Sequence, residues 1–434
     1  MTATSQKVAK EIARCSKCGK CRSVCPVFIE TKTEGMVARG RISLAEALLA
    51  GQVESSAKMR RYLWGCLKCL RCADACPASV DFGAIIGEVR RLLGKRVGLP
   101  WFARFSMRVM LTRRWLYDLA VRAAALGQKV LPKRRVGKIR HLPLMFGDER
   151  GMPELARESV LNSFADYYGP GDAERRVALF LGCLVNYAYP EIAAAMIRVL
   201  NATGAGVYVP KGQVCCGAPA ASLGDDDLVR VLAERNQAAF AGLPIEAIIV
   251  GCASGGATLK KDYPTVTGGT NPLGAPVFDF SEYVARHLDR LGGRFEGRVV
   301  WHDPCHLKFV QKITREPREI LSHLGDYRDF EGADYCCGMG GVFSAFFPDL
   351  SIKIASRKAG AIAETKADAV VTGCSGCILQ LRDRLSAEGS NMRVVHIAEA
   401  IAEAIDACQG DEKEAGGRCS PEVREERQSE GVQS

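Results

Sequence analysis

Cysteine is the residue whose spacing carries chemistry in this chain. The run CSKCGKCRSVCP, Cys15 to Pro26, returns 51 residues later as CLKCLRCADACP, Cys66 to Pro77. A third arrangement, Cys-Cys-Gly, stands at Cys215–Gly217 and again at Cys336–Gly338. Nineteen cysteines would mean disulfides in a small secreted chain, but 434 residues with 47% hydrophobic content can bury a core without staples. The opening MTATSQKVAKEIAR is polar and lacks an apolar signal core, so a reducing, cytoplasmic setting with thiolates held as metal ligands is expected.

C-x2-C-x2-C-x3-C-P is the bacterial ferredoxin spacing. Three cysteines two residues apart wrap three corners of an iron–sulfur cubane, and the fourth, followed by proline, turns away to the other cluster. Two such runs build two clusters with crossed ligands: Cys15, Cys18, Cys21 and Cys76 for one, Cys66, Cys69, Cys72 and Cys25 for the other. Structural zinc also uses C-x2-C pairs, but rarely a third cysteine at the same interval plus a Cys-Pro, twice over. Two adjacent clusters imply electron transfer.

In a Cys-Cys-Gly, neighbouring side chains diverge along an extended backbone, so both reach one centre only through a sharp turn that Gly217 and Gly338 permit. A cysteine about thirty residues earlier and one or two about thirty-six later complete each set. The second set has five thiols: Cys305, Cys336, Cys337, Cys374 and Cys377. The first has four, Cys183, Cys215, Cys216 and Cys252, with Gly255 in the fifth place. The plainer readings are buried small hydrophobes or a strained vicinal disulfide. Cys408 and Cys419 have no partner cysteine at metal spacing.

These cysteines need elements to carry them, and the elements repeat. RVALFLGC matches RVVWHDPC, VCCGAPA matches YCCGMGG, and AIIVGCASG matches AVVTGCSGC, at offsets of 122, 121 and 122 residues. Each copy reads as strands alternating with helices, hence a mostly parallel sheet, with cysteines just beyond strand carboxyl ends, where open α/β sheets place ligands. The fold class expected is α+β to α/β: a helical ferredoxin-like domain over 1–93, a basic helical linker over 94–175, repeated CCG domains over 176–297 and 298–409, and a disordered tail over 410–434. GRISLAEALLAGQ and DFGAIIGEVRRLLGK read as helices of the first domain.

Charge is concentrated. Arg90 to Arg140 holds 15 Lys/Arg against Asp118 alone, while the whole chain is +10. Phe102, Phe105, Val109, Leu116, Leu119 and Leu126 share a helical face there, and the prolines from Pro132 to Pro170 suggest an extended connector. The amphipathic part fits a partner subunit, a membrane surface or a plain bridge between halves. No apolar run reaches the roughly 18 residues of a spanning helix. Nucleic acid is not expected as a partner, since no recognition motif accompanies the charge.

A twin-cubane domain followed by two CCG domains resembles the iron–sulfur subunit of glycolate oxidase and D-lactate dehydrogenase, and is similar to the catalytic subunit of heterodisulfide reductase. VARGRISLAEALLAG, CCGMGGVF and ADAVVTGCSGCILQL carry the closer likeness to the hydroxy acid group. The resemblance implies a non-cubane [4Fe-4S] cluster on the five cysteines of the second copy. It leaves the first copy open to a four-cysteine cubane, an open cluster, zinc or nothing. It further implies a separate FAD-linked dehydrogenase subunit and a quinone or other membrane or soluble carrier as acceptor, with the chain in the cytoplasm or peripheral on the inner face of the membrane. No glycine-rich dinucleotide fingerprint is present, which fits a flavin on another polypeptide.

His302-Asp303-Pro304-Cys305-His306 is the most titratable spot beside a cysteine set. Its histidines could donate to a cluster sulfur or protonate a leaving thiolate, or His302 and Asp303 could simply fix the loop. Lys308 and Lys312 could line an anionic approach or form a solvated face.

Overall fold

The computed structural model describes residues 3–97, 99–128, 133–134, 138–140 and 151–415. The amino-terminal part is helical. Apolar residues three and four apart place Ile85, Ile86, Val89 and Leu93 on one face of the helix Phe82–Val97, which meets Ile42 and Ala45 of Ala38–Leu49 and Leu63 of Ala57–Trp64. Ser56 caps the last of these by accepting from the Met59 amide at 3.2 Å.

Two arginines are buried inside this helical layer. Arg41 donates to the carbonyls of Tyr62 at 2.8 Å and Gly65 at 2.7 Å. Arg90 donates to the carbonyls of Leu63, Trp64 and Cys66 and, at 2.9 Å, to that of Ser222 in the first CCG domain. Both are almost wholly buried, and among the described residues neither has a carboxylate partner. Burial pushes the Arg90 guanidinium down to about 10. Together they gather the backbone that leads into Cys66.

Each CCG copy is a parallel sheet covered by helices. In the first, the order is Tyr167–Tyr168, Ala205–Tyr208, Arg175–Phe180, Ala247–Val250, Val277–Asp279; all neighbours are parallel except the edge strand Tyr167–Tyr168. In the second it is Asp326–Arg328, Arg298–Trp301, Ala369–Thr372, Arg393–His396, all parallel. The four parallel strands correspond one to one, so the sequence repeat is a repeat of topology. Val177 to Phe180 and Ala247 to Val250 are wholly buried, the continuous apolar signature of a sheet covered on both faces.

The copies share one core. Val177 and Ile249 belong to the same buried cluster as Val300 and Val371, the helix Pro190–Ala202 packs on Ile397–Ala415, and His396 Nε2 donates to the Gly251 carbonyl at 2.9 Å. The helical domain is fastened to the second copy by Arg71–Asp334 at 2.9 Å, Lys312–Asp74 at 2.7 Å and Arg357–Glu30 at 2.8 Å. Beneath these pairs Val27, Phe28, Met36 and Leu67 meet Phe343 and Ile354 in a common apolar cluster.

The basic segment forms two helices, Trp101–Thr112 and Arg114–Gly127. The connector after it is not simply extended. Residues 133–134, 138–140 and 151–152 pair as a short antiparallel ribbon, and Tyr167–Tyr168 joins the first sheet as its edge, with Tyr167 against Tyr208 at 4.8 Å between ring centroids. Likewise the final helix runs on to Ala415, past the expected start of the tail, because DACQGDEKEA is rich in helix formers. The rest of that segment lies outside the described residues.

Arg90→Met is expected to lower unfolding stability by roughly 3 kcal/mol or more, since it leaves several buried carbonyls without a donor. Arg108→Met, on an exposed helix surface, is expected to change it by less than about 0.5 kcal/mol. Denaturant titration of the intact chain checks the pair.

Candidate metal centres

The two ferredoxin-spaced runs fold alike. The residue before and the residue after the second cysteine are left-handed in both: Lys17 (φ 56°) and Gly19 (φ 84°), Lys68 (φ 54°) and Leu70 (φ 56°). Left-handed lysine and leucine cost on the order of 1–2 kcal/mol each, a strain that persists when something in the centre of the loop repays it. The turns bend three thiols inward around one point. Cys15, Cys18, Cys21 and Cys76, with Cys72 at the border, line a cavity of about 40 Å3. Cys25, Cys66 and Cys69 are buried, and Cys72 is half-buried between the two groups.

Electrostatics shows which sulfurs face one another. Burial pushes the Cys72 thiol well up, and nearby Cys66, Cys25 and Cys21 push it further, while Arg41 opposes. Burial does the same to Cys69, reinforced first by Cys336 and Cys305 of the second CCG domain and then by Cys72 and Cys66. Cys69 therefore stands where the helical domain meets the second CCG set. A bare thiolate is costly there, and a cation bound between the sulfurs removes that cost.

In the second copy the five thiols converge. Cys336, Cys337, Cys374 and Cys377 are buried and Cys305 is half-buried. Cys337 Sγ lies 3.1 Å from Cys377 Sγ. The Gly338 amide donates to Cys336 Sγ at 3.4 Å, and the Gly217 amide donates to Cys215 Sγ at the same distance in the first copy. Amide donors to sulfur raise the potential of a bound cluster. Gly338 is at φ 81° and Gly217 at φ 90°, so the sharp turn expected of Cys-Cys-Gly is present twice.

The first copy is arranged differently. Cys183, exposed at the surface, lies near Cys216, whose free thiol is hydrogen-bonded to that of Cys215. Cys252, the fourth member, has Cys374 of the second copy as its foremost partner. A side chain built on Gly255 would begin 3.8 Å from the Cys252 Cβ and 3.9 Å from the Cys216 Cβ, so the fifth position lies at the site and carries no sulfur. Tyr117 and Leu111 of the basic hairpin, with Tyr187, wall a cavity of about 100 Å3 beside Cys183 and Cys215.

The polar residues near Cys305 divide by role. Asp303 fixes the loop, accepting from Trp301 Nε1 at 2.8 Å and from both terminal nitrogens of Arg318 at 2.8 Å. Lys308 pairs with Asp303 at 3.2 Å and Asp334 at 3.5 Å, and Lys312 pairs with Asp74. Lys308 is thus held within the fold, whereas Lys312, with 64% of its side chain exposed, carries its pair on a solvated face. His306 Nδ1 lies 2.9 Å from Ser254 Oγ, across the boundary between copies. Sequence reasoning missed Arg41, Arg90 and Lys358. Arg90 sits in EVRRLLGK, which reads as a helix with a charged outer face, and its meeting with the carbonyls of Leu63, Trp64, Cys66 and Ser222 exists only in the folded chain.

Soft donors in fours and fives, loops strained around their centres, amides aimed at sulfur and buried cations without carboxylates fit net-negative iron–sulfur clusters. Comparison with known proteins agrees. The 4Fe-4S dicluster domain matches residues 11–80 and the cysteine-rich CCG domain matches residues 177–260 and 299–382. A Bacillus subtilis protein described as "Probable glycolate oxidase iron-sulfur subunit" is 30% identical over 430 residues, spanning 91% of this chain and 94% of that one. The chain belongs to the family of iron–sulfur subunits of the glycolate oxidase type. A component of the fumarate reductase (CoM/CoB) of Methanothermobacter marburgensis is 32% identical, and the match covers 90% of this iron–sulfur subunit and 72% of the archaeal protein. Lactate utilization protein A of Oceanobacillus iheyensis is 28% identical over 52% of this subunit and 96% of itself. The iron–sulfur subunit is part of an oxidoreductase, and its cofactors are [4Fe-4S] clusters.

Gly338→Ala would set a Cβ 2.6 Å from the Ser351 carbonyl oxygen, whereas at Gly217 the nearest atom is 3.5 Å away. Gly217→Ala is expected to cost about 1 kcal/mol from backbone strain alone. Gly338→Ala is expected to cost about 3 kcal/mol or more and to lower iron per chain, read by denaturation and iron assay side by side.

Proposed function

We propose that this chain is the electron-transfer subunit of a flavin-dependent 2-hydroxy acid dehydrogenase, of the glycolate or D-lactate kind. A partner FAD-linked subunit oxidises the hydroxy acid, and this chain conveys the electrons toward a quinone or another carrier. The observation that carries the reading is the position of Cys69, between the twin-cluster thiols and Cys336 and Cys305. That placement makes a relay continuous across the domain boundary.

One-electron transfer is the chemistry that bound clusters supply. The chain's residues do the rest. Cys15, Cys18, Cys21 and Cys76 hold one cubane, and Cys66, Cys69, Cys72 and Cys25 the other. Cys305, Cys336, Cys337, Cys374 and Cys377 hold a further centre of non-cubane type, and Cys183, Cys215, Cys216 and Cys252 offer a sulfur-poorer site. Arg41 and Arg90 supply fixed positive charge beside the second group, and burial of Cys66 and Cys69 keeps water from the path.

Anaerobically purified complex should contain a flavoprotein, and glycolate or D-lactate should bleach the visible cluster absorbance. Recovery of this chain without a flavoprotein and without hydroxy-acid-dependent reduction would overturn the reading. Disulfide reduction by the chain itself is the second reading, favoured by the convergence of Cys252 with Cys374 at the second centre. It requires turnover of a disulfide by the reduced protein and an EPR spectrum that responds to added thiol.

Among the described residues no helix is long and apolar enough to cross a membrane. The basic hairpin nevertheless exposes Trp101 (80%), Phe102, Phe105, Trp115, Leu119 and Leu126, six of the eight large hydrophobics exposed among the described residues. Arg108 and Arg113 accompany them, with Arg104 and Arg122 alongside in long pairs to Asp225 and Glu158, and the one acid of the hairpin, Asp118, is engaged by Tyr187, Asn162 and Arg114. Aromatic bulk with a local excess of arginine is complementary to an anionic lipid surface. The chain should float with phosphatidylglycerol-containing vesicles and not with pure phosphatidylcholine, and Trp101→Ser with Phe105→Ser should abolish flotation. Loss of flavoprotein co-purification in that variant, with no vesicle binding by the parent, would assign the face to the partner subunit instead.

A further inference from the structure

His302 is wholly buried, and neither ring nitrogen has a hydrogen-bond partner among the described residues. Its backbone is fixed: the amide donates to the Val371 carbonyl at 2.9 Å, and its carbonyl accepts from Thr372 Oγ1 at 3.2 Å. The ring cannot lean on Asp303, whose oxygens are taken by Trp301, Lys308 and Arg318. Two unpartnered buried nitrogens carry a desolvation cost that a bonding partner removes.

Packing does not explain the imidazole. The residue in the same place in the first copy, 122 positions earlier, is Phe180, also wholly buried. An apolar ring fills that space without orphaned nitrogens. What differs around the second ring is sulfur: a His302 ring nitrogen, Cys337 Sγ and Cys377 Sγ all lie within 4.8 Å of one another. The corresponding place of Cys377 in the first copy is Gly255, so the histidine and the fifth cysteine occur together and are absent together.

Nor does the neighbouring Lys358 partner the ring. Lys358, also wholly buried, points its ammonium at the Gly332 and Ala333 carbonyls, at 2.8 and 2.9 Å.

We propose that His302 is a nitrogen ligand of the iron–sulfur centre in the second CCG domain, binding iron beside Cys337 and Cys377. The centre is then a mixed imidazole–thiolate site. A neutral imidazole beside the thiolates adds no negative charge to the centre, and histidine ligation goes with a higher potential in other clusters. The first copy, with Phe180 and Gly255, has neither the nitrogen nor the fifth sulfur.

The proposal rests on the reading that the second set holds an iron–sulfur centre, which iron and sulfide counts per chain test separately. The direct test compares full-length chain, prepared anaerobically with 14N- or 15N-histidine, with His302→Phe, which copies the first-copy packing. Pulsed EPR should show a strongly coupled histidine nitrogen in the parent that is lost in His302→Phe, with the unfolding transition retained. A centre that is EPR-silent in every redox state is read by 57Fe Mössbauer, where His302→Phe should shift the isomer shift of an iron site. Weak coupling typical of a hydrogen bond to sulfur, coupling that survives in His302→Phe, or unchanged Mössbauer parameters would overturn the assignment.

Discussion

Buried sulfur needs positive charge, and that need organises this molecule. Cys25, Cys69 and Cys72 are pushed up by burial, so their thiolates exist in the folded chain only beside cations. Iron bound by these sulfurs would supply most of that charge. The protein adds Arg41 and Arg90, which spend their donors on backbone carbonyls near Cys66 and keep their charge unpaired by carboxylate. A carboxylate in either place would satisfy the arginines and deprive the cluster of its counterion. The same two side chains thus set the course of the backbone and the field at the second group of thiols.

The repeat gives the molecule a built-in comparison. Topology, the left-handed glycine after the paired cysteines and the amide-to-sulfur bond are common to both copies. The copies part at the positions that would touch a metal: Phe180 against His302, and Gly255 against Cys377. Both copies touch the helical domain, the first through the Ser222 carbonyl and the second through Phe343, Ile354 and Cys336, and it is the second whose thiols come up to Cys69. Ligand richness and proximity to the relay therefore fall on the same copy, while the first contributes Cys252 and Ser254 to its neighbour's border.

Much of this was legible in the sequence because cysteine spacing is a direct statement of geometry. The doubled run, the three matched intervals and the strand–helix alternation implied the two parallel sheets and their cysteines at strand ends. What stayed hidden depends on tertiary meetings. Arg90 looked like one more charge on an amphipathic helix, Lys308 looked like a surface cation, and Cys252 was grouped with its own copy until the shared core brought it to Cys374. His302 could be noticed as a titratable residue beside Cys305, but that its ring nitrogens find no partner among the described residues is a property only of the folded interior.

The apolar seam that joins Val27, Phe28 and Leu67 to Phe343 and Ile354 has a consequence for biogenesis. The first stretch leaves the ribosome nearly 300 residues before the second. Throughout most of translation, Cys25 and Cys69 therefore have one wall of their chamber missing. A product cut short before Phe343 would lack that wall and leave the thiols of Cys25 and Cys69 open on one side.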